Sequence, residues 1–321
     1  MGMKRNLFVT VLLCLGLLMG CQSNVERYGE PLIFTTGTTT GVFYSLGAGL
    51  STLWTKEMEQ LVASQASNGS VENLNLMSKG EANLAFTTVN IAYDAYNGEG
   101  SFKGKQYDGV RILANLYPNV SHIVVVDDED IQSIEDLKGK SFVFGAAGSS
   151  TELESKLVLE AHGVSIDDVN ANYVGFTEAT DLIRNGQVDG VNIYSGVPAA
   201  ATTELISTID SKVLSFSPDA IDQLVKDYPW NFEYVIEANT YDKQPEPITT
   251  VGQYSTIVID ESVSEDAAYR LTKLLWENVD ELKKSYSIAN QFDPQKAIEG
   301  TAGVPLHPGA EKYYKEIGIL E

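Results

Sequence analysis

The stretch Leu32 to Gly49, LIFTTGTTTGVFYSLGAG, constrains the fold more than any other. A short apolar strand (Leu32, Ile33, Phe34) runs into a Gly/Thr loop and then into a helix. Glycine permits the tight turn, and the threonines Thr38, Thr39 and Thr40 are placed to cap the helix. Its first N–H groups are then left pointing outward, where they attract anions. The same order returns at Ser141 to Leu157, SFVFGAAGSSTELESKL, as strand, small-residue loop and hydroxyl-rich helix start. Taken singly, each loop reads equally well as an ordinary strand-to-helix connection. Taken together, they read as two loops facing across a cleft that holds a small, carboxylate-bearing molecule.

The rest of the chain continues the alternation. Short β-branched or aromatic runs are separated by helical runs, which argues for parallel-rich α/β layers. Val42 to Met58 reads as a helix with Leu46, Leu50, Leu53 and Trp54 at helical spacing. Arg111 to Tyr117 and His122 to Val126 read as two strands separated by Pro118-Asn119. Ser149-Ser150-Thr151-Glu152 fits a capping box, with serine on the N3 amide and glutamate reaching back. Ser195-Gly196-Val197-Pro198 follows a strand and places proline in a first helical turn. Tyr241 to Pro247 reads as a crossover, and Thr249 to Ile259 as a long strand returning to the first unit.

Residues 1–20 read as a targeting segment. Lys4 and Arg5 precede an apolar run, Leu7 to Met19, that falls short of the about 20 residues a membrane span needs. The run ends in Leu18-Met19-Gly20-Cys21, a lipobox-like sequence in which Cys21 would carry lipid; a plain secretory signal or an uncleaved anchor is the alternative. Cys14 lies inside the removed segment, so the mature body has no thiol and no cysteine-based metal site or nucleophile. Residues 21–30 form a polar tether. Without Lys4 and Arg5, 20 basic groups face 44 acidic ones, a net charge of −24. With no basic cluster, nucleic acid is excluded as a partner, and membrane attachment falls to the lipid.

Eight stretches carry a resemblance. They are Thr36-Gly37-Thr38-Thr39-Thr40-Gly41-Val42-Phe43-Tyr44, Asn68-Gly69-Ser70-Val71-Glu72-Asn73, Asp94-Ala95-Tyr96-Asn97-Gly98, Asp136-Leu137-Lys138-Gly139-Lys140, Gly148-Ser149-Ser150-Thr151-Glu152-Leu153, Gly186-Gln187-Val188-Asp189-Gly190, Gly196-Val197-Pro198 and Pro305-Leu306-His307-Pro308-Gly309-Ala310. In this order they resemble the solute-binding lipoproteins of TAXI-type TRAP transporters, over nearly all of the mature chain. The resemblance implies a two-domain, type II periplasmic-binding-protein fold of α/β class, with mixed sheets flanked by helices and ligand in the interdomain cleft. The expected domains are 31–122 with 248–321, and 123–247, closing by a hinge. It further implies a monomer outside the cytoplasm that delivers an amino acid such as glutamate or glutamine, or an organic acid such as 2-oxoglutarate, to an ion-driven TRAP permease. Thr39-Thr40 and Ser150 depart from the small residues usual in the family, which bears on the ligand more than on the fold.

Carried onto this sequence, the binding wall of the first domain is Gly37, Thr38, Thr40, Gly41 and Tyr44, with Ser67, Asn68 and Ser70 nearby and Asn90 at another strand-to-helix edge. The second domain offers Gly148, Ser149, Ser150, Thr151, Gly196, Val197 and Pro198. Two helix N-termini with hydroxyls can hold a carboxylate without arginine. Arg111 opens a strand near the hinge and is a further candidate, whereas Arg184 belongs to a solvated helix end. His122, His162 and His307 share no metal-ligand spacing and read as structural; neither metal nor cofactor is called for. No Gly-x-Ser-x-Gly elbow, phosphate loop or metalloprotease signature is present, so an enzyme is the weaker reading. A binding protein serving an ATP-driven importer or a sensor kinase is the nearer rival.

Overall fold

The computed structural model describes residues 30–321; the targeting segment, Cys21 and the tether to Gly29 lie outside them. The strands expected in two sheets join in a single ten-stranded mixed sheet. Its first half is built from β1 (Leu32–Thr35), β2 (Val62–Gln65) and β3 (Leu84–Thr88). Its second half uses β5 (Ser141–Val143), β6 (Asn170–Asn172), β7 (Gly190–Ser195) and β8 (Ser211–Leu214). Two long strands, β4 (Val110–Val126) and β10 (Ile248–Asp260), run through both halves, and β9 (Phe232–Ile236) lies along the start of β10. The first half has the order β2-β1-β3-β10-β4 and the second β6-β5-β7-β4-β8, so the halves repeat one topology. β1 is parallel to β2 and β3, and β5 is parallel to β6 and β7.

Helices fill the connections: α1 (Val42–Met58), α2 (Ser70–Ser78), α3 (Val89–Asn97), α4 (Ser150–Ala161), α5 (Phe176–Arg184), α6 (Ala200–Thr208) and α7 (Pro218–Asp227). After β10 come α8 (Glu265–Glu277), α9 (Val279–Ser285) and α10 (Pro308–Glu316). α1 buries Leu46, Leu50, Trp54 and Met58 along one stripe, the spacing that 3.6 residues per turn dictates. Trp54 Nε1 donates to Leu271 O on α8 at 3.1 Å, tying the C-terminal segment back to the first half. Burying side chains such as Phe34, Trp54 and Phe86 contributes roughly 1.5–3 kcal/mol each.

The core follows the sheet. One set of side chains runs from Phe34 to Tyr117 and resumes from Ile257 to Tyr314. Another gathers Ile123, Val125, Phe142, Phe144, Val158 and Leu224 with Val251. Between these sets β4 and β10 pair at Tyr117 with Ser255, Asn119 with Gln253 and Val120 with Gly252.

Three local expectations are corrected. Pro118-Asn119 does not divide β4, because its partner strand β10 continues past it and shifts register at Ser255/Thr256. Pro198 does not start a helix: the Val197–Pro198 peptide is cis and α6 begins at Ala200. The capping box at α4 forms by half, with Ser149 Oγ accepting from Glu152 N at 3.1 Å and the Glu152 carboxylate taking Gly148 N at 2.9 Å. The histidines are structural. His122 is wholly buried, with Nδ1 close to Val120 O and Ile193 O and Nε2 on the Tyr241 hydroxyl at 2.8 Å. Burial lowers its pKa to about 4. His307 caps α10 through Gly309 N and bonds Val263 O at 2.9 Å.

Candidate functional site

A cleft of about 510 Å³, counting its open mouth, lies over the centre of β4 where the two halves meet. Helix N-termini converge on it. α1, α2 and α5 are capped by Gly41, Gly69 and Gly175, and none of these caps offers a side-chain acceptor. The first-turn N–H groups of those helices are therefore free of side-chain caps, which is what an anion requires. Of the helix starts at the cleft, α4 is the one capped by a side chain, from Ser149. The expectation that a threonine caps α1 is thus corrected. Gly41 takes that place and hands its own N–H to Thr38 O at 2.8 Å.

Glycine is required at two points of these loops. Gly69 has φ 122° and ψ −154°, a conformation that strains any residue carrying a Cβ. At Gly145, with φ 102°, an added Cβ would lie 2.6 Å from Thr151 Cβ. Phe43 forms an apolar wall, stacked on Phe86 at 4.7 Å.

Of the residues expected at the site, Gly37, Thr38, Gly41, Asn68, Ser149, Ser150 and Thr151 line the cleft together. The others are placed elsewhere. Thr40 is exposed at the rim, with its Oγ1 2.9 Å from Thr177 Oγ1 across the cleft. Gly148 acts through its backbone, its carbonyl accepting from Glu72 N at 3.4 Å. Tyr44 is half-buried on α1, outside the lining. Ser70 is wholly buried, its hydroxyl without a partner. Asn90 is tied down within α3: its Oδ1 receives Thr88 Oγ1 at 2.7 Å, and its N–H goes to Gln253 Oε1. Gly196, Val197 and Pro198 pack toward the C-terminal segment, where Gln291 Nε2 donates to Val197 O at 2.6 Å and Ile288 crowds Gly196. Arg111 is occupied by Glu261 and by the backbone of Asp108, at the far end of β4.

Tyr117, Asn119, Gly175, Phe176, Tyr194 and Ser195 also line the cleft and were not anticipated. A signal for some of them exists. Gly175-Phe176 repeats the strand, glycine, helix order, and Tyr194-Ser195 ends β7, and ligands gather at the carboxyl ends of strands in such sheets.

Among the described residues, no lysine, arginine or histidine lines the cleft. The hydroxyls of Tyr117 and Tyr194 are buried and unpartnered, and burial raises the pKa of both. Behind them the wholly buried Glu154 carboxyl has no hydrogen-bond partner on either oxygen, and desolvation raises its pKa to about 7. The Gln253 amide sits beside Glu154 and Tyr194 and favours their charged forms, without a well-formed hydrogen bond to either. Among the described residues no cluster of histidine, cysteine and carboxylates has metal-site geometry.

Residues 34–318 match the NMT1-like family. This chain belongs to that family. Solved structures similar to this NMT1-like protein share its fold at low identity. The alkanesulfonate-binding protein SsuA from Xanthomonas axonopodis pv. citri, bound to MOPS, aligns with a TM-score of 0.54 and 14% identity, over 90% of this chain and 84% of that one. A protein from Bordetella bronchiseptica RB50 aligns with a TM-score of 0.56 and 16% identity, over 91% and 90%. The binding-protein component of an ABC phosphonate transporter from Pseudomonas aeruginosa gives 0.51 and 14%, over 82% and 79%. The NMT1-like chain thus has the α/β fold of periplasmic binding proteins. No described helix is long and apolar enough to cross a membrane.

Proposed function

We propose that this protein is an extracytoplasmic solute receptor that captures a small carboxylate-bearing molecule and performs no catalysis. The observation that carries the reading is the cleft itself: several helix N-termini converge on a pocket to which no described residue brings a cationic side chain. In such a pocket backbone N–H groups and hydroxyls hold the carboxylate, each bond contributing about 1 kcal/mol and more to a charged acceptor. Two lobes, 31–122 with 248–321 and 123–247, turn about the paired centres of β4 and β10. Contacts that cross the cleft, Thr40 to Thr177 and Glu72 to Gly148, support a closed form in which both lobes touch the ligand.

The lobe arrangement and the eight family-like stretches favour delivery to a TRAP permease of TAXI type, with the protein held at the membrane by lipid on Cys21. Delivery to an ATP-driven importer is the second reading, since the phosphonate-binding neighbour serves an ABC transporter. Purifying the full lipoprotein with its membrane partner separates the two: an ATP-hydrolysing subunit in the complex would sink the TRAP assignment. For the ligand, a thermal-shift screen of the soluble chain from Ser23 against amino acids, dicarboxylates and 2-oxo acids is the direct test. A true ligand raises the melting temperature with concentration. The absence of any shift, with no small acid recovered from the denatured protein by mass spectrometry, would overturn the carboxylate reading.

A further inference from the structure

Glu154 has no use in a purely structural account of α4. The other buried positions of its inner face are Ser150, Thr151, Ser155, Val158 and Leu159, none of them charged. A wholly buried carboxyl with both oxygens unpartnered is costly to keep, and a residue of similar volume without the charge would pack there more cheaply. Its position is informative. Ser150 and Thr151 line the cleft, and Glu154 follows them by one helical turn, so all three project from the same stripe of α4. Tyr194 lines the cleft, keeps its hydroxyl unpartnered, and feels the charge of Glu154 directly. Tyr117 lines it too, with the unpartnered Ser255 hydroxyl beside it.

The cleft is therefore polarised. Its loops present N–H groups, and its inner end presents unpaired hydroxyls with an acid behind them. The carboxylate reading of the cleft accounts for the loops only. A dicarboxylate would bring a second negative charge toward an acid, in a chain of net charge −22, and the keto oxygen of a 2-oxo acid can accept a hydrogen bond there but gains nothing from a carboxylate. A molecule carrying an ammonium group beside its carboxylate matches both ends.

We propose that Glu154 is the specificity-determining residue of this cleft, selecting amino acids over the matching 2-oxo acids through an ammonium subsite formed by the Tyr194 and Tyr117 hydroxyls. This rests on the carboxylate-receptor reading above. In the empty cleft the carboxyl is largely protonated below neutral pH. When the ammonium arrives, the carboxyl O–H proton passes to the solvent, and the carboxylate it leaves acts on the ammonium from behind the Tyr194 hydroxyl. The titratable groups that face it are Tyr194 from β7 and Tyr228 at the end of α7; the facing group from β10, Gln253, is uncharged.

The test is calorimetry with matched pairs, L-glutamate with 2-oxoglutarate, L-alanine with pyruvate, and L-leucine with its 2-oxo acid, on the wild type and Glu154→Gln. We expect the amino acid of the bound pair to outcompete its 2-oxo acid at least tenfold in the wild type. Glu154→Gln should remove that preference while leaving 2-oxo-acid affinity within about twofold. In two buffers of different ionisation enthalpy, the wild type near pH 7 should release about half a proton per amino acid bound, as a carboxyl of pKa about 7 requires. The preference and the proton count are read on the wild type, so they decide even if Glu154→Gln fails to fold. Equal or tighter binding of the 2-oxo acid, or no proton release, would overturn this inference and leave the receptor reading standing. Failure of every acid to bind would overturn both.

Discussion

The two sides of the cleft come close at Gly69 and Ser149, and a covalent clamp there tests whether they must part for ligand to enter. A Cβ added at Gly69 would lie 3.5 Å from Ser149 Cβ, within the roughly 3.5–4.5 Å that a disulfide spans. The variant Gly69→Cys/Ser149→Cys, in a chain beginning at Ser23, carries no other thiol because Cys14 and Cys21 both precede that residue. In the reduced form it loses stability twice over. Leaving glycine at φ 122° costs about 1–3 kcal/mol, and losing the Ser149 cap costs about 1 kcal/mol. At roughly 2 °C per kcal/mol for a chain of this size, its melting temperature should fall by about 4–8 °C. Oxidation closes a loop of roughly 80 residues and in the chain-entropy account returns about 4.5 kcal/mol. The oxidised protein should therefore melt near the wild type. The decisive assay is ligand association by stopped-flow fluorescence, with a ligand from the thermal-shift screen. The oxidised, empty protein should bind at least tenfold more slowly than the reduced one, and dithiothreitol should restore the rate. A cross-link that forms fully yet leaves association unchanged would refute hinge opening as the route of entry.

Further outcomes follow from the same geometry. The Glu154 carboxyl is raised from its ordinary 4.5 to about 7, so its contribution to stability is full below about pH 4.5 and is lost as pH climbs through 7, by about 3 kcal/mol. His122, lowered from 6.5 to about 4, does the reverse: its contribution is full above about pH 6.5 and is lost as pH falls toward 4. Urea unfolding across about pH 4.5–7.5 should show Glu154→Gln gaining stability relative to the wild type as pH rises, and parallel curves would contradict the burial of this acid. Thr40→Val should weaken ligand binding a few-fold while shifting the melting point of the empty protein by no more than about 1–2 °C, because it removes one exposed bond across the rim. Adding Thr177→Val should then cost nothing more, by calorimetry. Arg111→Ala should leave ligand affinity untouched and cost at most about 1 kcal/mol in urea unfolding, since the arginine serves a half-exposed ion pair with Glu261.

Much of the fold was legible in the sequence because its signals are local. The strand, glycine loop and helix of Leu32 to Gly49 and of Ser141 to Leu157 appear where turn chemistry and helical spacing place them. The misreadings also have physical causes. Pro118 looks like a strand breaker within β4, but pairing with β10 overrides local propensity. Gly196-Val197-Pro198 carries turn chemistry, and turn chemistry alone does not say which way the turn faces; here it packs against Ile288 and Gln291.

What the sequence determined by itself is the α/β alternation and the glycine-rich helix starts; that Arg111 is engaged by Glu261 and not by the cleft came from the structure. What the tertiary structure decided is which of those starts meet. It added the N-terminus of α5 and set Tyr117 and Tyr194 in the cleft lining. It also buried Glu154 beside Gln253, a residue 99 positions later in the chain. Turn and helix signals act over a few residues, whereas strand order joins distant segments through contacts that no local pattern records. The loops of this cleft were therefore readable in advance, and its floor was not.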